Sequence, residues 1–190
     1  MTVRFAADLD LGVVSSCCSV SLDDAEVVLG AARSGTSHVL WSAAGLAGAL
    51  AALGAALLVR RFPGGALASS AAVLSAGALV TALPAILFVV APYAYETPSH
   101  LCPFCLLRAD VWGLGWPLFA ALFIATSLGI AIGTVELQRR ASGEPREVSA
   151  LQATLATWSA GAWAAFLVLA ATPVVRFVVL TGNASLLGGP

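Results

Sequence analysis

Lysine is absent from the 190 residues, and all nine basic side chains are arginine. Charge of either sign is scarce, at 10% of residues, against about 25% in an ordinary soluble domain. That scarcity leaves no room for a sizeable soluble domain. The formal net charge of -1 gives no electrostatic case for nucleic acid. There is no Ser-His-Asp set, no paired acid dyad and no phosphate loop, which disfavours a hydrolase or a nucleotide enzyme. No cleavable signal peptide is visible, because Met1 to Gly12 carries Arg4, Asp8 and Asp10 and no apolar run of the required length. Arginine without lysine, beside abundant Ala and Gly, reads as the codon bias of a GC-rich, bacterial genome.

What is present is apolar. Hydrophobic residues make up 59% of the chain, and the mean hydropathy is +0.95. A spanning helix needs about 20 apolar residues. Four uncharged runs meet that length: Val39 to Val59, Ala66 to Tyr95, Val111 to Val135 and Val148 to Val175. The expected fold is an all-α integral membrane protein, a four-transmembrane-helix bundle. Residues 1-38 form an extramembrane N-terminal tail, and residues 39-190 form the membrane domain.

Arg60 and Arg61 fall in the first connection, and Arg139, Arg140 and Arg146 in the third. The second, Glu96 to Asp110, has only Arg108. The positive-inside rule therefore puts connections one and three in the cytoplasm, with both termini outside a bacterial cytoplasmic membrane.

In the tail, the first 14 residues alternate apolar and polar like a strand. Ser21 and Asp24 form a capping-box-like start. Ala25, Val28, Leu29 and Ala32 follow at helical spacing, and Gly35 offers a stop. Asp23 to Ser34 is thus expected to be a short amphipathic helix on the outer interface. Within the spans, Gly48, Ala52 and Ala56, and Gly129 and Gly133, recur every four residues. Such spacing permits close packing, but the abundance of Ala and Gly is the favoured account of it. Pro84, Pro92, Pro117 and Pro173 lie in or near the spans and predict kinks. Small-residue faces and membrane lipid leave room for a homo- or hetero-oligomer.

Chemistry rests on four cysteines in two pairs. Cys102 and Cys105 form a C-P-F-C motif, and Cys17 and Cys18 are adjacent in the tail. On the expected orientation both pairs face one potentially oxidising compartment. Residues three apart on a helical turn are neighbours, within reach of a disulfide. Pro103 suits a first helical turn, so the third span is expected to start at the motif. Helix-start amides and Arg108 would then favour a thiolate. An adjacent pair closes only a strained ring, so Cys17 and Cys18 are expected to exchange with a distant partner.

The order of these features resembles the vitamin K epoxide reductase family of membrane thiol oxidoreductases. Cys18-Ser-Val, Ala25 and Val28-Leu29-Gly30 are similar to its loop cysteine and half-helix. Leu101-Cys102-Pro103-Phe104-Cys105-Leu106 is similar to its active-site motif. The likeness covers roughly residues 17 to 135. It departs in two places: no span precedes Cys17, and the tail cysteines are adjacent rather than separated. The resemblance implies electron flow from an extracytoplasmic, thioredoxin-like partner through Cys17 or Cys18 to Cys102 and Cys105, and on to a quinone that faces Cys105. Tyr93, Trp112 and Trp116 are the weak quinone-binding candidates, with an interfacial aromatic belt as the preferred account of them.

Two other readings stand beside it. The four cysteines, with His100, form a set suited to a soft metal such as mercuric or cuprous ion, although no acid or thiol lies mid-span to carry an ion across. Alternatively the chain is a non-catalytic subunit of a membrane complex, its cysteines stapling the tail to the second outer connection. His100 near Cys102 reads first as a solvated loop histidine, and His38 as an interfacial anchor.

Overall fold

The computed structural model describes residues 35–96, 102–142, 145–182 and 186. Cys17, Cys18, His100, the alternating first segment and the interfacial helix expected at Asp23 to Ser34 lie outside them. No strand occurs among the described residues. The described residues include five α-helices: α1 (Gly35–Arg61), α2 (Gly65–Ala85), α3 (Ala91–Tyr95), α4 (Gly115–Ser142) and α5 (Pro145–Thr181). Gly35, expected to end a helix, is the first residue of α1. A π-helical stretch, Ile86–Val90, joins α2 to α3 without a break.

Four segments are long and apolar enough to cross a bilayer: Val39–Arg61, Gly65–Tyr95, Gly115–Arg139 and Val148–Thr181. The protein is an all-α, multi-pass four-helix membrane bundle. Short connections make sequence neighbours antiparallel. α1 packs on α2 and α5, and α4 packs on α2 and α5, so the four long helices close a ring.

Alanine is the commonest buried residue, including Ala49, Ala52, Ala56, Ala68, Ala71, Ala78, Ala82, Ala125 and Ala156, and Trp163, Ile86, Leu118, Leu122 and Ile132 fill the space between the helices. Other large apolar side chains point out: Val73, Val80, Trp158, Val168 and Val179 are each more than two-thirds exposed. Water would penalise that surface, whereas lipid does not, and lipid-embedded helices gain by close van der Waals contact.

The small-residue pattern is therefore a packing device, and composition alone does not account for it. A Cβ on Gly129 would meet the Ser75 side chain of α2, with Cβ 2.5 Å away, and would lie 3.7 Å from Ser159 Oγ of α5. A Cβ on Gly133 would lie 2.5 Å from Ala72 Cβ. Three helices thus meet at Gly129, where no other residue fits. The same level carries a buried interhelical bond, Ser159 Oγ donating to Ala125 O at 3.0 Å. Its acceptor already serves the α4 backbone, so the hydroxyl is satisfied without water.

The third span differs most from expectation. It begins at Gly115 rather than Val111, because Trp112 (φ 57°) and Gly113 (φ 61°) are left-handed and cannot belong to an α-helix. It also runs on to Ser142, so Arg139 and Arg140 are helical rather than in a connection; Arg146 likewise lies in α5.

Candidate functional site

Proline sets the geometry of one end of the bundle. Pro84 lies inside α2, where it lacks an N–H and crowds the preceding turn. Two residues later the helix widens into the π-helical stretch Ile86–Val90, a device that recurs at functional sites. Pro92 opens α3 at its first turn, and α3 ends at Glu96, whose φ of 53° is left-handed.

The C-P-F-C motif follows. Cys102 is extended (φ -100°, ψ 108°) and precedes a 3₁₀ turn, Pro103–Leu107, with Pro103 in its first turn. Arg108 is extended again, and a second short turn, Ala109–Val111, leads to Trp112. So the motif does not open the third span. Cys102 stands at a five-residue 3₁₀ turn, and the long helix dipole expected to act on it begins only at Gly115. Both cysteines are half-buried.

Leu106, Tyr95 and Trp116 hold the motif against the bundle. Leu106 is fully buried and joins the core with Leu118, Leu122 and Ile86. Gly115 lets it approach: a Cβ there would lie 2.8 Å from Leu106 C and 2.9 Å from Leu106 O. Tyr95 Oη donates to Cys105 O at 2.8 Å, and Arg108 N donates to the same carbonyl at 2.9 Å. Trp116 Nε1 donates to Leu107 O at 3.2 Å. The motif is thus tied to the end of α3 on one side and the start of α4 on the other.

Beside it runs an apolar groove of about 810 Å³. Its walls come from four elements: Trp41 of α1; Leu83 and Pro84 of α2, continued by Ile86, Leu87 and Phe88; Pro103, Phe104 and Leu107 of the motif; and Trp116, Phe119, Ala120 and Phe123 of α4. Ring-bearing side chains dominate it. Phe104 is 74% exposed, Trp116 67% and Phe123 53%, so the groove opens sideways toward the lipid.

Of the three aromatic candidates, only Trp116 lines this groove. Tyr93 is buried, packs edge-on against Phe177 with centroids 5.4 Å apart, and accepts a bond from Leu186 N at 3.1 Å. Trp112 lies instead beneath Arg176 of α5, whose Cζ is 4.6 Å from the ring centroid. The α4 groove residues missed by sequence reasoning, Phe119, Ala120 and Phe123, had a signal: with Trp116 they fall at helical spacing on one face of α4.

A second polar cluster, also missed, occupies the Arg60–Arg61 end. Glu136 is fully buried. Arg139 donates to it twice, from Nε and Nη2, each at 2.8 Å, and Gln152 Nε2 of α5 donates at 3.1 Å. This fork locks α4 to α5 at a depth where an unpaired carboxylate would be costly.

Among the described residues, no three His, Cys, Asp or Glu side chains group to hold a metal ion. Cys17, Cys18 and His100 of the soft-metal set lie outside those residues. Comparison with models of known protein families, with characterised proteins and with solved structures finds no match to this chain.

Proposed function

We propose that the protein is a membrane thiol–disulfide oxidoreductase, similar to the vitamin K epoxide reductase family, that passes electrons from an extracytoplasmic thiol partner to a quinone. The observation that carries this reading is the groove. Pro103 and Phe104, the two residues between the cysteines, form part of the wall of an aromatic, lipid-facing groove of about 810 Å³. Small-molecule pockets fall in the range of about 300–1,000 Å³. An apolar ring with an isoprenoid tail suits such a wall, and sideways opening suits a substrate dissolved in the bilayer.

The Cys102 and Cys105 thiols close an S–S bond and give up two electrons and two protons, which reduce the quinone to quinol. A thiolate of Cys17 or Cys18 attacks Sγ of Cys102, and Cys105 leaves as a thiolate. A partner thiolate then attacks the tail sulfur and releases Cys102. The partner's second thiol displaces the tail cysteine and completes the partner's disulfide. The net reaction converts partner dithiol and quinone to partner disulfide and quinol. Thiolates carry each exchange step. The positive-inside rule supports a bacterial cytoplasmic membrane with both termini and both cysteine pairs outside.

The test is disulfide mapping by mass spectrometry of purified protein, alkylated without reduction, followed by addition of a short-chain quinone to the reduced protein. A Cys102–Cys105 bond that forms with stoichiometric quinol supports the reading. Four thiols retaining a stoichiometric soft metal, and no quinone-dependent oxidation, would replace it with metal handling.

A further inference from the structure

Among the described residues only two non-glycine residues have positive φ, Glu96 (53°) and Trp112 (57°). They are the last residue before the motif-bearing connection and the residue that follows its second turn. They are its two hinge points. Their side chains converge on one residue of another helix. Arg176 Nη1 lies 3.9 Å from Glu96 Oε1, and Arg176 Cζ lies 4.6 Å from the centroid of Trp112.

We infer that Arg176 is a positioning residue for the Cys102/Cys105 motif, a clasp that holds both ends of its connection at once. This rests on the oxidoreductase reading for its functional meaning, though not for its geometry. An arginine near a span end ordinarily extends its head toward lipid headgroups. Here α5 is pinned sideways instead: Phe177, the next residue, packs edge-on against Tyr93 of α3, and Pro173 one turn earlier is buried. That places the guanidinium between Glu96 and Trp112. A planar cation suits both partners, since it pairs with a carboxylate and lies over a ring face. The contacts are open enough to release. Arg176 and Glu96 are 42% and 50% exposed, and a cavity of about 150 Å³ adjoins Trp112 and Arg176. Closed, the clasp keeps Pro103 and Phe104 in the groove wall. Released, both left-handed hinges are free to relax, and the cysteines turn outward.

The experiment measures alkylation of Cys102 and Cys105 by N-ethylmaleimide in the reduced, full-length protein in membranes, peptide by peptide. Arg176→Ala is expected to speed it on the order of three- to thirty-fold, the factor that one exposed ion pair and one cation–π contact are worth together. Arg176→Lys, which keeps the charge, is expected to restore part of the wild-type rate. In a Glu96→Gln/Trp112→Leu background, Arg176→Ala is expected to add nothing. Val179→Ala, on an exposed face of α5, serves as the control. Unchanged rates in Arg176→Ala would overturn the inference, as would an equal rise in Val179→Ala or a full further rise in the double background. If Arg176→Ala does not fold, Glu96→Gln alone must still raise the rate. The alkylation needs neither quinone nor thiol partner, so a shifted rate without quinone reduction sinks the proposed activity and leaves the clasp standing.

Discussion

Replacing Gly115 by alanine tests how the motif is held. The added Cβ would sit 2.8 Å from Leu106 C, 2.9 Å from its O and 3.0 Å from its Cβ. Two of those three atoms are backbone, so no rotamer change relieves them. The turn must move away from α4, and Leu106, now fully buried, must follow. Overpacking of this kind costs about 1–3 kcal/mol. For a chain of this size each kcal/mol lowers the melting temperature by about 2–4 °C. The expected fall is therefore roughly 2–12 °C, accompanied by faster alkylation of Cys105. Gly161→Ala is the matched control, with nothing within 4 Å of its new Cβ and a helix interior that favours alanine by about 0.5–1 kcal/mol. Intrinsic tryptophan fluorescence during heating in a mild detergent reads both variants. Equal melting of Gly115→Ala, Gly161→Ala and wild type would refute the reasoning.

Gly129→Leu is expected to destabilise the bundle more than Gly115→Ala, since the side chain would have to displace Ser75 where α2, α4 and α5 meet; loss of the folded band in detergent gel filtration checks it. Glu136→Ala should cost about 2–3 kcal/mol in denaturant unfolding, less than the roughly 3–5 kcal/mol of a fully buried pair, because the stranded Arg139 is 31% exposed. Glu136→Gln, which keeps an acceptor for Gln152, should cost less than Glu136→Ala. Cys105→Ala, treated with a mild thiol oxidant that takes up the two electrons, is expected to hold a mixed disulfide between Cys102 and Cys17 or Cys18, visible as a linked peptide under non-reducing digestion. Trp116→Ala should raise the KM for a short-chain quinone several-fold, about 1 kcal/mol for one lost ring contact, while the same change at Trp158, on an exposed face away from the groove, leaves it unaltered.

The four spans were legible because each is an apolar run with almost no charge. Their ends were less so. Hydropathy cannot see that Trp112 is left-handed, since a tryptophan raises the apolar score of a helix and of a turn alike. Glu136 escaped because a search for uncharged runs stops at the first charge and treats what lies beyond as loop. The Glu136/Arg139 spacing of three was a usable helical sign; the partner Gln152, in another helix, left no local sign at all. The every-fourth small residues of α4 carried a real contact surface, yet in an alanine-rich chain frequency alone could not separate that surface from background. At the site, the motif itself was plain in the text of the chain. Which of the nearby rings face it was not, because Tyr93 in α3, Trp112 in a turn and Trp116 at the start of α4 read alike as belt aromatics in the sequence.

The inward placement of alanine has a consequence for where anything can bind. Small side chains draw the helices together, and Trp163, Leu118 and Leu122 fill the core between them, so a guest in the groove beside Phe104 and Trp116 lodges on the flank. A flank site exchanges with the bilayer and not with the water above it. Its occupancy is then governed by the guest's mole fraction among the lipids, so diluting the membrane with more lipid or detergent lowers saturation even when the bulk concentration is held constant.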